Sequence, residues 1–161
     1  MKKLRIVSAI VTILIMTLIF LFSSQNREES ATVSRGITQY VADIISVILK
    51  LTENQKTDLI SNIHGMIRKL AHFIIYTSLG ISSTAFFLSY LYKKRKSITL
   101  ITAVIFCCFY AVTDEIHQNF VAGRGPQLSD VLLDTFGAFI GSLIFLIIYR
   151  MYVKKKGVSY D

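Results

Sequence analysis

Residues Val131–Val153 read VLLDTFGAFIGSLIFLIIYRMYV. A bilayer core about 30 Å thick is crossed by roughly 20 mostly apolar helical residues. This run supplies them, with one acid, Asp134, near its start and one base, Arg150, near its end. Gly137 and Gly141 stand four apart, a small-xxx-small spacing that lets another helix approach closely. Three further runs have the same character, Ile6–Phe22, Leu70–Tyr92 and Ile98–Thr113. Of the 161 residues 53% are hydrophobic, mean hydropathy is +0.55 and there is one proline, too apolar for a small water-soluble domain to hide in one core. The sequence therefore predicts an all-α integral membrane bundle, one domain over residues 1–161 with four transmembrane helices.

The formal charge of +8 suggests nucleic acid until it is sorted by place. Lys2, Lys3 and Arg5 precede the first run, Lys93, Lys94, Arg95 and Lys96 separate the second from the third, and Arg150, Lys154, Lys155 and Lys156 end the fourth. The positive-inside rule puts both termini and the short basic loop in the cytoplasm. Ser23–Lys69 and Asp114–Ser129 then lie outside, in a multi-pass protein of the bacterial cell membrane. The basicity reads as topology and contact with anionic lipid, with no nucleic-acid partner. The first run is longer than the apolar core of a usual signal peptide, and Phe22-Ser23-Ser24-Gln25 is no Ala-x-Ala cleavage site, so it reads as a retained anchor. Cys107 and Cys108 are adjacent in an apolar run, lack ligand spacing and read as buried thiols.

The longest connection joins the first two runs. Ser23–Gly36 is polar without a period and reads as a loop. In Ile37–Leu51 the positions Ile37, Val41, Ile44, Ile45, Ile48 and Leu49 form a helical stripe, with Asp43 and Lys50 off it. Thr52 with Gln55 reads as a capping box opening a second amphipathic helix through Leu59, Ile60, Ile63, Met66 and Ile67. Residues 37–69 thus form an amphipathic extracytoplasmic segment, packed on the bundle or covering a site as a lid.

Between the apolar runs lies DEIHQNFVAGR, Asp114–Arg124, followed by Asp130 and Asp134. A charged side chain within a span costs roughly 2.5–3.5 kcal/mol on insertion scales. At 1.5 Å per residue, Asp114 lies roughly 27 Å from Lys96, His72 about 31 Å from Lys93 and Asp134 about 24 Å from Arg150. Three helices therefore deliver polar groups to one level, the outer edge of the core. Arg68, His72 and Tyr76 recur every four residues, as do Asp114 with Gln118 and Asp130 with Asp134, while Lys69 sits beside His72. Asp114 and Glu115, being adjacent, are not expected both to face the bundle, so Glu115 is expected to meet His117 or Arg124. Gly123-Arg124-Gly125-Pro126 supplies a turn that swings Arg124 over the site, and Ser129 is expected to cap the last helix.

These residues carry a resemblance. Arg68-Lys69-Leu70-Ala71-His72-Phe73 with Tyr76, Asp114-Glu115-Ile116-His117-Gln118, Gly123-Arg124, and Ser129-Asp130-Val131-Leu132-Leu133-Asp134-Thr135-Phe136-Gly137-Ala138 with Gly141 resemble the VanZ-like family of bacterial membrane proteins. The likeness runs in order from about Phe22, with Ser23-Ser24 after the first run, to Gly141. It implies a small multi-helix envelope protein, in a family named for a member that gives low-level resistance to teicoplanin, and brings no established reaction. Many relatives carry asparagine where this chain has Asp134, which makes the site here more acidic.

Three readings of the cluster stand. A structural ion network would pair Asp114, Asp130 and Asp134 with Arg124, Arg68 and Lys69 and hold helix ends in register, although such pairs need not add net stability. A binding site would set Arg68, Lys69 and Arg124 against phosphate or carboxylate and use Tyr76, Gln118, Asn119, Asp130 and Asp134 for sugar or amine groups. Its partners would be membrane lipids, a lipid-linked envelope precursor or an amphiphilic antibiotic. An enzyme acting on a lipid-linked phosphate or glycan would use Asp114 or Glu115 as base, His72 or His117 as acid/base and Arg124 as anion stabiliser. No cofactor is expected, although the enzyme reading leaves room for a divalent cation on Asp114, Asp130 and Asp134. Zinc on His117 and Glu115 is disfavoured, because residues two apart do not share a helical face.

Overall fold

A computed structural model describes residues 2–25, 27–91, 96–121 and 127–155. Five helices follow in order: α1 Lys2–Ser23, α2 Arg27–Leu49, α3 Glu53–Leu91, α4 Lys96–Gln118 and α5 Leu128–Lys155. There is no strand among the described residues. Helices α1, α3, α4 and α5 are long and apolar enough to cross a membrane, and each carries one of the apolar runs, of which Tyr92 alone lies outside the described residues.

The bundle is built as lipid requires. Large apolar side chains point outward all along it, among them Ile6, Ile10 and Ile13 on α1, Ile101 and Phe109 on α4, and Ile147 and Met151 on α5. The interior combines a few large apolar side chains, Ile19, Leu79 and Leu88 among them, with many small and hydroxylated residues: Ser8, Thr12 and Ser23 on α1, Ser82, Ser83 and Thr84 on α3, and Ser142 on α5 are all buried. Lipid tails attract apolar side chains as well as a protein core does, so helices associate where small residues permit backbone contact. Ser8, Ser82, Ser83, Thr84 and Ser142 bond carbonyls of their own helices, as Ser142 Oγ does to the Ala138 carbonyl at 2.8 Å.

Helices α3 and α5 share the most extensive interface and run in the same direction, with Phe73 and Thr77 against Gly137 and Gly141. A Cβ on Gly141 would strike the Thr77 carbonyl, and one on Gly80 the Ala138 carbonyl. The expected glycine spacing on α5 thus receives α3, and Gly80 adds a reciprocal notch that the spacing alone did not reveal. Helix α1 is built into the bundle: the Tyr110 hydroxyl donates to the Met16 carbonyl at 2.6 Å, and Arg5 bonds the Ser89 carbonyl and covers the Tyr90 ring. Cys107 and Cys108 are free thiols, Cys107 buried beside Ser83.

The connection from α1 to α3 departs from expectation. Where a loop over Ser23–Gly36 was expected, helix begins at Arg27. The segment lacks an apolar period, yet it contains no proline to break a helix. Periodicity reports a buried face, not the capacity to be helical. Farther along, α2 packs against α3 and Thr38 and Ala42 are buried, while Ile44, Val47, Ile48 and Leu49 from the apolar end of the helix remain exposed.

Helix α2 ends at Leu49, short of the expected Leu51, because Lys50 turns left-handed at φ 50° and the Leu51 N–H reaches the Ser46 carbonyl at 3.1 Å. The predicted cap is present, with the Thr52 N–H donating to Gln55 Oε1 at 2.9 Å, and Lys56 Nζ meets Asp43 Oδ1 at 2.8 Å across the turn. The second amphipathic segment and the second span are one helix, α3, of 39 residues. At 1.5 Å per residue it is about 58 Å long, nearly twice a bilayer core.

Candidate functional site

One end of the bundle collects the charges. His72 on α3, Asp114 on α4 and Asp134 on α5 converge so that one donor atom from each lies within 4.8 Å of the other two. His72 Nδ1 stands 3.7 Å from Asp134 Oδ2. Both aspartates are buried, and His72 is partly open. Helical rise alone had set these three at one level, and the bundle also turns them to face one another.

The Asp114 carboxylate is held from α4 and α1. Gln118 Nε2 donates to Asp114 Oδ2 at 3.2 Å and contacts Ser23 Oγ at the same distance, and the Ser23 hydroxyl bonds Asp114 as well. Ser23 carried no predicted role, although Ser23-Ser24 belonged to the resembling pattern. Beneath the cluster Tyr76 is wholly buried, its hydroxyl facing Asp114 and Asp134. Asp134 Oδ1 has no hydrogen-bond partner among the described residues.

Above the cluster is a small opening lined by Arg68, Lys69, His72, Gln118, Asp130, Leu133 and Asp134. Lys69 Nζ binds Asp130 Oδ1 at 2.9 Å, linking α3 to α5. Sequence left Arg68 and Lys69 competing for the inward face. In the structure Lys69 takes the ion pair, and Arg68, on the lip of the opening, forms none among the described residues. Leu133 was not foreseen, since an apolar residue between two acids has no distinguishing signal.

Other expected site residues are placed elsewhere. Glu115 is buried, like its neighbour Asp114, because about 100° of helix rotation aims the two at different partners. The Glu115 carboxylate accepts the backbone N–H of Gln127 and so ties the start of α5 to α4; among the described residues it does not meet His117. His117 lies apart from the opening, its Nε2 3.1 Å from Ser24 Oγ and its ring 4.6 Å from that of Phe20. Ser129 does not cap α5, which begins one residue earlier, and its hydroxyl donates to Asp130 Oδ1 at 3.2 Å. Arg124 and its Gly-Arg-Gly-Pro turn lie outside the described residues.

The arrangement can do three things chemically. It presents fixed cations and amides at an opening, holds an imidazole against buried carboxylates, and concentrates oxygen and nitrogen donors at one point. A family model described as VanZ/LLP1 matches residues 8–149, nearly the whole chain. The chain belongs to this VanZ-like family. Comparison with the curated proteins and with the solved structures gives no match. The VanZ-like match spans all four long apolar helices and includes every side chain of the cluster, so the cluster lies within the family domain and not in an appendage to it.

Proposed function

We propose that this VanZ-like membrane protein binds the polar headgroup of an amphiphile at the Arg68–Asp134 opening. The ligand is an envelope lipid, a lipid-linked cell-wall precursor or a lipoglycopeptide antibiotic. The observation that carries the reading is Arg68, partly buried on the lip and in no ion pair among the described residues, above amide, imidazole and carboxylate groups. A guanidinium so placed suits a phosphate or carboxylate, which it grips with two parallel bonds. Gln118, His72 and the Lys69–Asp130 pair then offer donors and acceptors to sugar or amine groups. Basic residues at the termini and between the second and third spans support a cytoplasmic place for those segments, which sets the opening at the outer leaflet of a bacterial cell membrane. Family membership supports a link to glycopeptide resistance, and capture of teicoplanin or of its lipid-linked target at this opening is the form that link takes.

The test is lipid identification by native mass spectrometry of gently purified protein. The expected result is one co-purified species with a phosphate-bearing headgroup, reduced about tenfold or more in Arg68→Ala, as fits loss of a charge-assisted bond. A glycan-phosphate mass would identify a cell-wall precursor and a diacyl mass an ordinary phospholipid. Equal retention by wild type and Arg68→Ala refutes the reading.

The second reading is an enzyme acting on a lipid-linked phosphate or glycan. It is favoured by His72 Nδ1 3.7 Å from Asp134 Oδ2, with Asp114 alongside, an imidazole and carboxylates within reach of a proton to be moved. Conversion of the headgroup, visible in the same spectra, separates catalysis from binding.

A further inference from the structure

The floor of the pocket carries a separate inference, which holds whether or not a headgroup enters above it. Asp114 and Asp134 are 5% and 3% exposed, so both carboxylates are withdrawn from solvent within a few ångströms of each other. Lys69 is engaged by Asp130, and among the described residues His72 is the basic side chain that joins Asp114 and Asp134, with Arg68 on the lip above. Desolvated like charges persist when a cation joins them.

The spacing suits a shared ion better than a hydrogen bond. His72 Nδ1 and Asp134 Oδ2 are 3.7 Å apart, beyond the 2.7–3.2 Å or so of an N–H···O bond. Two donors that each lie about 2.0–2.1 Å from one tetrahedral ion are themselves about 3.3 Å apart. Closing the three donors, now within 4.8 Å, onto such an ion moves each by about 1 Å or less. One oxygen also points to a missing partner: Asp134 Oδ1 is buried in the cluster and forms no hydrogen bond among the described residues.

We propose that His72, Asp114 and Asp134 bind a divalent first-row transition ion of the Mn²⁺ or Zn²⁺ type. The imidazole disfavours Mg²⁺ and Ca²⁺, which take oxygen ligands, while two carboxylates suit Mn²⁺ and a three-residue nitrogen and oxygen set suits Zn²⁺. Gln118 and Ser23 fix the Asp114 carboxylate as outer partners fix metal ligands. The remaining coordination position faces the opening, where a water or an anionic headgroup oxygen can enter. The proposed set differs from the one the sequence suggested, with His72 in place of Asp130, which pairs with Lys69.

The experiment uses the full chain in detergent, stripped with chelator and then titrated with Mn²⁺, free ion being followed by electron paramagnetic resonance, with Zn²⁺ as competitor. One Mn²⁺ per chain is expected, displaced by Zn²⁺. Asp134→Asn and His72→Gln should each weaken binding by about 100-fold or more, at least the loss seen when outer partners of a metal ligand are removed. Asp43→Asn, on α2, should leave affinity within about twofold, as expected for an independent site. Absence of stoichiometric binding in the wild type overturns the proposal, as does equal binding by all the variants. If one cluster variant fails to fold, the other and the wild-type stoichiometry still decide. Loss of lipid in Arg68→Ala with ion binding intact would show that the two sites stand or fall separately.

Discussion

Along the α3–α5 seam two adjacent stretches share one parallel register and behave in opposite ways. Phe73 and Thr77 meet Gly137 and Gly141 at backbone contact, whereas Lys69 and His72, one turn away, meet Asp130 and Asp134 through the ends of long side chains. Backbone contact demands residues without side chains. Charged partners demand space, and on this seam the space begins where the glycines stop. The close-packed stretch thereby sets the distance at which the charged stretch can work. Packing and site are two halves of one interface, and substitutions in each should fail differently.

The largest effect is expected at Gly141. A leucine there would drive its Cβ into the Thr77 carbonyl, an atom that cannot move without shifting α3. Overpacking of this kind costs about 3 kcal/mol or more, and with marginal total stability the variant should lose its monodisperse peak on size exclusion in detergent. A Gly141→Leu protein with wild-type thermal stability would show that the seam is looser than its geometry and remove the basis of the comparison.

Legibility from sequence divides along the same line. The four spans were readable because length and hydropathy need no partner, and the glycine spacing announced a close helix without identifying it as α3. The common level of His72, Asp114 and Asp134 followed from helical rise measured from basic ends. Rotation about each axis did not follow, since one residue turns a side chain through about 100° and hydropathy is blind to it in a cluster of polar neighbours. Hence Glu115, expected beside His117 or Arg124, binds the Gln127 N–H, and the choice between Arg68 and Lys69 stayed open. The start of α2 was hidden for another reason: its sequence is polar and carries no apolar period to read.

A middle effect belongs to Lys69. Its side chain is 41% exposed and that of Asp130 18%, so Lys69→Met removes a partly solvated pair at a cost of about 1 kcal/mol or less. The packed stretch should be untouched. Thermal unfolding should shift slightly, by far less than in Gly141→Leu, while the freed Asp130 makes the opening more acidic and weakens retention of an anionic headgroup. Stability falling as steeply as in the glycine variant would mean that the charged stretch, too, holds the helices together, which is the structural-network reading.

The smallest effect is expected at His117, which bounds the site from the other side. It shares α4 with Asp114, yet its ring lies on Phe20 and its Nε2 beside Ser24. His117→Phe keeps the aromatic contact and removes one exposed hydrogen bond, so stability should change by about 0.5 kcal/mol or less and lipid retention should match wild type. His72, on α3, is the imidazole that faces the carboxylates, whereas His117, on α4, is turned toward α1. Lipid loss in His117→Phe equal to that in Arg68→Ala would extend the site across α4 toward α1, and the charged stretch would then be one wall of a wider cleft.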